Sequence, residues 1–270
     1  MTLEAMGVHV GIGTATLLDD VSVRVDPGRI VAVVGPNGAG KTTLLQTLAS
    51  DVRPTRGSIA LDGRPLERWS GAELARRRAV MTVGGTVAFG FSAREVALMG
   101  RMAERGGGQH LVDEDLVDEL LAALDCTALS DRGFATLSTG ERQRVQLARA
   151  VAQVADVPDA PGTRDSLLER YLLLDEPTSS LDPAHQHTAM RLVRHEADAG
   201  RGVLVVLHDL NLAAAYADDI VLMDAARVVA AGPPARTMEA QLLEQVFGVP
   251  MLVMSHPRLS HPVVVARPGP

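Results

Sequence analysis

Hydrophobic and polar positions divide this chain into short apolar runs separated by longer stretches of helical period. Ile30–Val34 is five apolar residues, preceded by Asp26-Pro27-Gly28 and followed by glycine, which predicts a strand buried on both faces. Upstream, residues 3–25 read as two strands joined by a Gly/Thr turn, with Val21, Val23 and Val25 alternating in a half-buried strand. Further strands are expected at 57–62, 79–83, 171–175 and 202–209. Helical period dominates from about 92 to 153. Ser92 and Glu95 form a capping box at its start, and 114–124 carries an i, i+3/i+4 apolar stripe. The Pro- and Gly-containing stretch 153–169 reads as a surface loop, and Arg76-Arg77-Arg78 as a solvated basic run. Strands with intervening helices imply an α/β fold built on a largely parallel sheet.

The end of the Ile30–Val34 strand carries the chemistry. It runs into Gly35-Pro36-Asn37-Gly38-Ala39-Gly40-Lys41-Thr42-Thr43, the complete pattern G-x-x-x-x-G-K-[ST] between a strand and a helix. Glycines let successive N–H groups turn inward around an anion, and the helix that follows points its positive end at the same place. Lys41 is the only lysine in a chain whose other basic side chains are all arginine. A compact ammonium on a flexible stem fits between β- and γ-phosphates, where a planar guanidinium is bulkier. The loop is therefore expected to bind a nucleoside triphosphate.

Composition narrows the setting. The formal net charge of −7 gives no bulk attraction for nucleic acid, and no nucleic-acid partner is expected. Cys126 is the single cysteine, so no intrachain disulfide can form, and its apolar neighbours predict a buried structural thiol. The N-terminal residues lack the pattern of a signal peptide, and no run approaches the ~20 apolar residues of a membrane span. A cytoplasmic protein is expected, reaching a membrane only through a partner.

Two more segments bear on the same site. Tyr171–Asp175 is an apolar strand ending in a carboxylate and followed by Glu176. In a doubly wound sheet it ends at the same edge as the phosphate-loop strand. Asp175 is placed to share a Mg²⁺ with Thr42, and Glu176 to orient or deprotonate an attacking water. Ser138-Thr139-Gly140-Glu141 precedes an amphipathic helix and is locally a capping box.

Taken together these segments resemble ATP-binding cassette (ABC) ATPases. L-S-T-G-E-R-Q-R-V at 137–145 is similar to the family's signature sequence, and L-L-L-D-E-P-T-S-S-L-D at 172–182 to its Walker B strand and D-loop. His208, after V-L-V-V-L, is similar to its switch histidine. The resemblance implies a P-loop NTPase (RecA-like) core with a mostly parallel sheet, an N-terminal antiparallel β region and an inserted α-helical subdomain. It implies one domain over 1–255, with the core at 1–85 and 159–255, the helical subdomain at 86–158, and a C-terminal tail at 256–270. It further implies a head-to-tail homodimer with ATP and Mg²⁺ at its interface. Residues 35–43 of one subunit would hold the nucleotide, with Lys41 on the phosphates and Thr42 and Asp175 on the metal. Ser138, Thr139 and Gly140 of the other subunit would close over the γ-phosphate, and Asp182 would link the two sites. Glu176 would act on water and His208 would hold the γ-phosphate edge.

Three positions depart from that pattern. Val83 stands where the family has a metal-approaching glutamine, Thr139 replaces the first signature glycine, and the region around Ile12 lacks an aromatic to stack on adenine. H-D-L-N-L-A-A-A-Y-A-D at 208–218 is similar to ATPase subunits of importers for iron chelates, haem and cobalamin. Among these, the segments 181–193, 232–235 and 247–250 point to the haem importers. The expected partners are a dimeric integral membrane permease and, through it, a periplasmic or extracellular haem-binding protein. The expected place is the cytoplasmic face of the inner (plasma) membrane. His185 and His187, two apart on a helix, are expected to face solvent or pack rather than bind metal.

Overall fold

The computed structural model describes residues 2–82, 90–104, 110–155 and 169–267. The chain begins with strands β1 (Leu3–Ile12), β2 (Ala15–Val25) and β3 (Ile30–Val34), then helix α1 (Lys41–Leu48). Strands β4 (Arg56–Leu61) and β5 (Arg64–Pro65), helix α2 (Gly71–Arg77) and strand β6 (Arg78–Met81) follow. A helical block holds α3 (Ala93–Leu98), α4 (His110–Ala123) and α5 (Thr139–Val154). Next come β7 (Tyr171–Asp175), α6 (Pro183–Asp198), β8 (Gly202–Val206), α7 (Leu210–Tyr216), β9 (Asp219–Asp224) and β10 (Arg227–Gly232). The last elements are α8 (Pro234–Thr237), α9 (Ala240–Phe247), β11 (Met251–Ser255) and β12 (Pro262–Ala266).

A six-stranded sheet, ordered β10-β9-β3-β8-β7-β6, forms the centre, parallel throughout except for β10 at one edge. Its inner strands β3, β7 and β8 are buried at every position, as their unbroken apolar runs require. Alternate residues serve opposite faces. Val31, Val33, Leu173, Leu204 and Val206 pack with Leu44, Leu45 and Leu48 of α1 and with the antiparallel sheet β2-β1-β4-β5. Ile30, Ala32, Val34, Leu172, Leu174, Val203 and Val205 face the other way. They share a core with Val145 and Ala148 of α5, Val193 of α6 and Ala213 of α7. The helical block is thus continuous with one face of the sheet. Arg101 ties it together, donating to Asp113 at 2.8 Å and to the Ala152 carbonyl at 2.7 Å near the end of α5.

Some expectations are corrected. The basic run is not a solvated face. Arg77 is buried, pairs with Asp62 and donates to the Glu169 carbonyl at 2.7 Å. Arg78 donates to the carbonyls of Leu48, at 3.1 Å, and Ala49, where helix geometry leaves the last carbonyls of α1 without partners inside the helix. Only Arg76 of the three is exposed. The region set aside as a tail contains β12, which pairs with β11 from Met251↔Ala266 to Ser255↔Pro262. Asn211 holds this hairpin to α7, donating to the Val264 carbonyl at 3.0 Å and accepting the Val264 N–H at 2.8 Å. Strands β6 and β8 stop at Met81 and Val206, before the ends expected at 83 and 209, and Gln153 and Val154 belong to α5. Residues 156–168 of the expected loop lie outside the described residues.

Candidate nucleotide site

Because β3, β8 and β7 lie side by side, their carboxyl ends bring three segments to one edge: residues 35–43 after β3, Leu207-His208 after β8, and Asp175-Glu176 at the end of β7. This is where an open α/β sheet binds its ligand. The loop after β3 is shaped by backbone that only glycine tolerates. Gly35 has φ +149°, and a Cβ there would lie 2.1 Å from the Met223 carbonyl oxygen. Gly40, at φ +100°, is the N-cap of α1 and offers no side chain to satisfy the helix's first N–H groups. Those donors stay available to a ligand. Asn37 and Gly38 are exposed at the crest, Pro36 is half-buried, and the small side chain of Ala39 is buried beneath the loop. Thr42 is exposed and Thr43 half-buried.

Lys41 is buried, and its Nζ donates to the carbonyls of Gly35 and Pro36, both at 2.9 Å, so the ammonium lies inside the curve of the loop. Burial pulls its pKa below the usual lysine range, against the opposing charges of Glu176 and Asp175. Asp175 is 2 % exposed, and its Oδ1 accepts from the Thr42 hydroxyl at 3.3 Å. Burial pushes its carboxyl above the ordinary range, with the Thr42 hydrogen bond acting the other way. The hydroxyl and carboxylate assigned to a metal thus converge.

Glu176 sits in the left-handed region, φ 48°, which turns the chain sharply as it leaves β7. Its Oε1 meets His208 Nε2 at 2.5 Å. The histidine expected at the γ-phosphate edge is therefore at the site, with its ring engaged by the carboxylate expected to act on water. Such a contact holds both rotamers and sets which carboxylate oxygen is left for other work.

The 138–140 turn is built differently. Ser138 is the N-cap of α5: its Oγ accepts the Glu141 N–H at 3.3 Å, while the Glu141 carboxylate accepts the Ser138 N–H at 2.7 Å. Hydrogen bonding of Ser138 to the carboxylate, from its backbone N–H foremost and then from its side chain, holds Glu141 below the usual carboxylate range. Thr139 is the exposed first residue of the helix. Gly140 has ordinary backbone, but a Cβ there would come 2.8 Å from the Ser180 carbonyl. Asp182 caps α6, accepting the His185 N–H at 2.9 Å and meeting the His185 ring at 2.8 Å. His187 is exposed and touches the Tyr216 hydroxyl at 2.9 Å. The two histidines thus serve different neighbours. Val83 lies outside the described residues. Ile12 is 70 % exposed. No helix among the described residues is long and apolar enough to cross a membrane.

Sequence reasoning missed Gln143. Its amide nitrogen donates to the Glu176 carbonyl and, at 3.3 Å, to Ser179 Oγ, while its amide oxygen accepts the Ser180 N–H at 3.1 Å. The available signal was its i, i+3 spacing from Gly140, which puts both on the face of α5 that meets the 179–181 turn.

The ABC transporter family matches residues 18–158, from ahead of the phosphate loop to beyond the Ser138 turn. The chain belongs to this family. It is an ABC-type ATPase, and its hydrolysis of ATP is coupled to transport. Similarity to individual proteins extends over the whole length. The Hemin import ATP-binding protein HmuV of Pseudomonas entomophila (strain L48) is 44% identical over 265 residues, 98% of this chain and 100% of that protein. Its namesake from Gloeobacter violaceus (strain ATCC 29082 / PCC 7421) is 45% identical, covering 97% and 93%. The one from Rhodococcus jostii (strain RHA1) is 44% identical, covering 99% and 87%. Among solved structures, the ATP binding subunit of an ABC transporter superposes with a TM-score of 0.73 at 24% identity, over 92% of this chain and 94% of that one. A bacterial ABC transporter cassette solved as a dimer gives 0.72 at 23% identity, over 86% and 98%. These neighbours share the fold.

Proposed function

We propose that this cassette energises the uptake of haem through a separate membrane permease, working as a homodimer on the cytoplasmic face of the plasma membrane. The observation that carries the substrate is the full-length similarity, at 44–45% identity, to proteins named for hemin import from Pseudomonas, Gloeobacter and Rhodococcus. The permease and a haem-binding protein outside the membrane are the partners this reading requires. Core residues 1–85 and 159–255 supply the nucleotide bed, and the helical part 86–158 supplies the Ser138 turn.

In the proposed reaction the uncapped start of α1, the N–H groups of residues 37–43 and the Lys41 ammonium bind and orient the β- and γ-phosphates. Ser138, Thr139 and Gly140 of a second copy close the site. The Ser138 hydroxyl can accept from Glu141 and still donate its proton to a phosphate oxygen. His208 fixes one oxygen of Glu176, leaving the carboxylate to take a proton from water. Thr42 and Asp175 fit a magnesium ion: both are hard oxygen donors, and a cation would stabilise a carboxylate whose burial makes its charge costly. When bound, such an ion supplies charge neutralisation at the phosphates.

The test is hydrolysis by the cassette assembled with its permease in membranes, with binding proteins loaded with haem, ferric siderophore or cobalamin added in turn. Stimulation by the haem-loaded protein supports the proposal. Stimulation by one of the other two alone would reassign the cargo.

A further inference from the structure

We infer that Gln143 is a positioning residue that sets the reactive carboxylate from the Ser138 helix of the same chain, so that closure over one nucleotide is felt at the other. The inference rests on the dimer proposed above. In that dimer the Ser138 turn of a chain serves its partner's nucleotide, while Glu176 serves the chain's own. Within one chain, the covalent path between them runs through the described α5, the 156–168 stretch and β7. The Gln143 amide offers a direct path. It lies on the second turn of α5, five residues beyond Ser138, and, besides the Ser179 hydroxyl, grips two groups at once, the Glu176 carbonyl and the Ser180 N–H.

Both groups are backbone, and both lie where small displacements matter. The Glu176 carbonyl belongs to a residue already in the left-handed region, whose N–H is held by the Val206 carbonyl at 3.2 Å. With the N–H fixed by β8, the carbonyl by Gln143 of α5 and the side chain by His208 just after β8, Glu176 is fastened at three points. The Ser180 N–H lies in the turn that leads to Asp182, the cap of α6. A shift of α5 toward a γ-phosphate would therefore pull on Glu176 and on the Asp182 turn together. Gly140 adds contact at the same place, since its missing Cβ lets the Ser180 carbonyl seat against α5. The Gln143 amide is engaged by the Glu176 carbonyl, Ser179 and Ser180. It acts through Glu176.

The amide's two ends can be separated by substitution. Gln143→Glu keeps the acceptor for the Ser180 N–H and turns the donor to the Glu176 carbonyl into an acceptor; Gln143→Leu removes both. Steady-state hydrolysis by the full chain, measured against ATP concentration, should show kcat lowered roughly tenfold to a hundredfold in Gln143→Glu, as a misplaced catalytic group costs. KM for ATP should stay within about threefold, because the phosphate bed is untouched. The Hill coefficient should fall toward one in both variants. In a Glu176→Gln background, ATP-driven dimerisation should survive Gln143→Glu, as expected of an intact fold and an intact clamp. Wild-type kcat and cooperativity in Gln143→Glu would overturn the inference, and so would loss of ATP-driven dimerisation in the double variant. A wild-type chain that neither hydrolyses ATP nor dimerises with it would instead remove the reading on which the inference stands.

Discussion

The phosphate loop and the Ser138 turn both end in the start of a helix, yet they are built on opposite principles. At α1 the N-cap is Gly40, in left-handed backbone and without a capping side chain, so the first-turn donors are open. At α5 the N-cap is Ser138, and a reciprocal box with Glu141 already satisfies two of those donors. The first is a site completed only by an anion. The second is a finished helix start, complete within one chain. The proposed dimer, a fixed cradle in one chain closed by the helix start of another, needs this difference.

Substitutions that sharpen the contrast fall in order of size. Gly35→Ala meets the Met223 carbonyl at 2.1 Å and takes on a disfavoured φ, so it should destabilise the fold by about 3 kcal/mol in a denaturant titration. Lys41→Ala removes the loop's charge and the two hydrogen bonds from its ammonium to the Gly35 and Pro36 carbonyls. It should weaken ATP binding by about 2 kcal/mol, roughly 30-fold, in calorimetry. Ser138→Ala removes a cap that helps α5 alone, and should cost about 1 kcal/mol of stability while leaving ATP binding to the isolated monomer unchanged. The smallest effect is in pH. Glu141 is held below the usual carboxylate range, so its contribution to the α5 start is fully present above that range and is lost as pH falls through the depressed value. The Ser138 amide, which donates to this carboxylate, should keep its protection from hydrogen exchange, relative to an unstructured peptide at the same pH, through pH 5 and lose it only in stronger acid.

Cys126 gives an independent check on the core. Burial pushes its thiol up to about 11, so alkylation at pH 8 should be negligible in the folded chain and prompt in denaturant. Fast labelling of the folded chain would contradict the packing described.

Much of this was legible in the sequence, for identifiable reasons. Strand β3 and the loop after it were readable because burial on both faces demands an unbroken apolar run and the anion cradle demands glycine. The capping boxes at Ser92 and Ser138 were readable because their partners lie three residues away. What escaped depends on distant partners. Arg77 and Arg78 look like any basic run until Asp62, the Glu169 carbonyl and the end of α1 are brought beside them. Strand β12 looks like a tail until β11 and Asn211 supply its hydrogen bonds. Gln143 and the Glu176–His208 contact pair residues more than 30 apart, and local periodicity says nothing at that range. Asp175 and Thr42 could be brought together from the sequence because the strands of a doubly wound sheet end at one edge, and the two side chains are hydrogen-bonded.

The central claim is that a complete site needs the phosphate loop of one chain and the Ser138 turn of another. Mixing two inactive chains tests it most directly, one carrying Lys41→Ala and the other Ser138→Arg, both with Glu176→Gln so that bound ATP stays trapped. Each alone should trap almost none, and the mixture should trap up to one ATP per pair of chains, because the mixed dimer holds one site with both halves intact. A mixture that traps no more ATP than the two chains do separately would contradict the account.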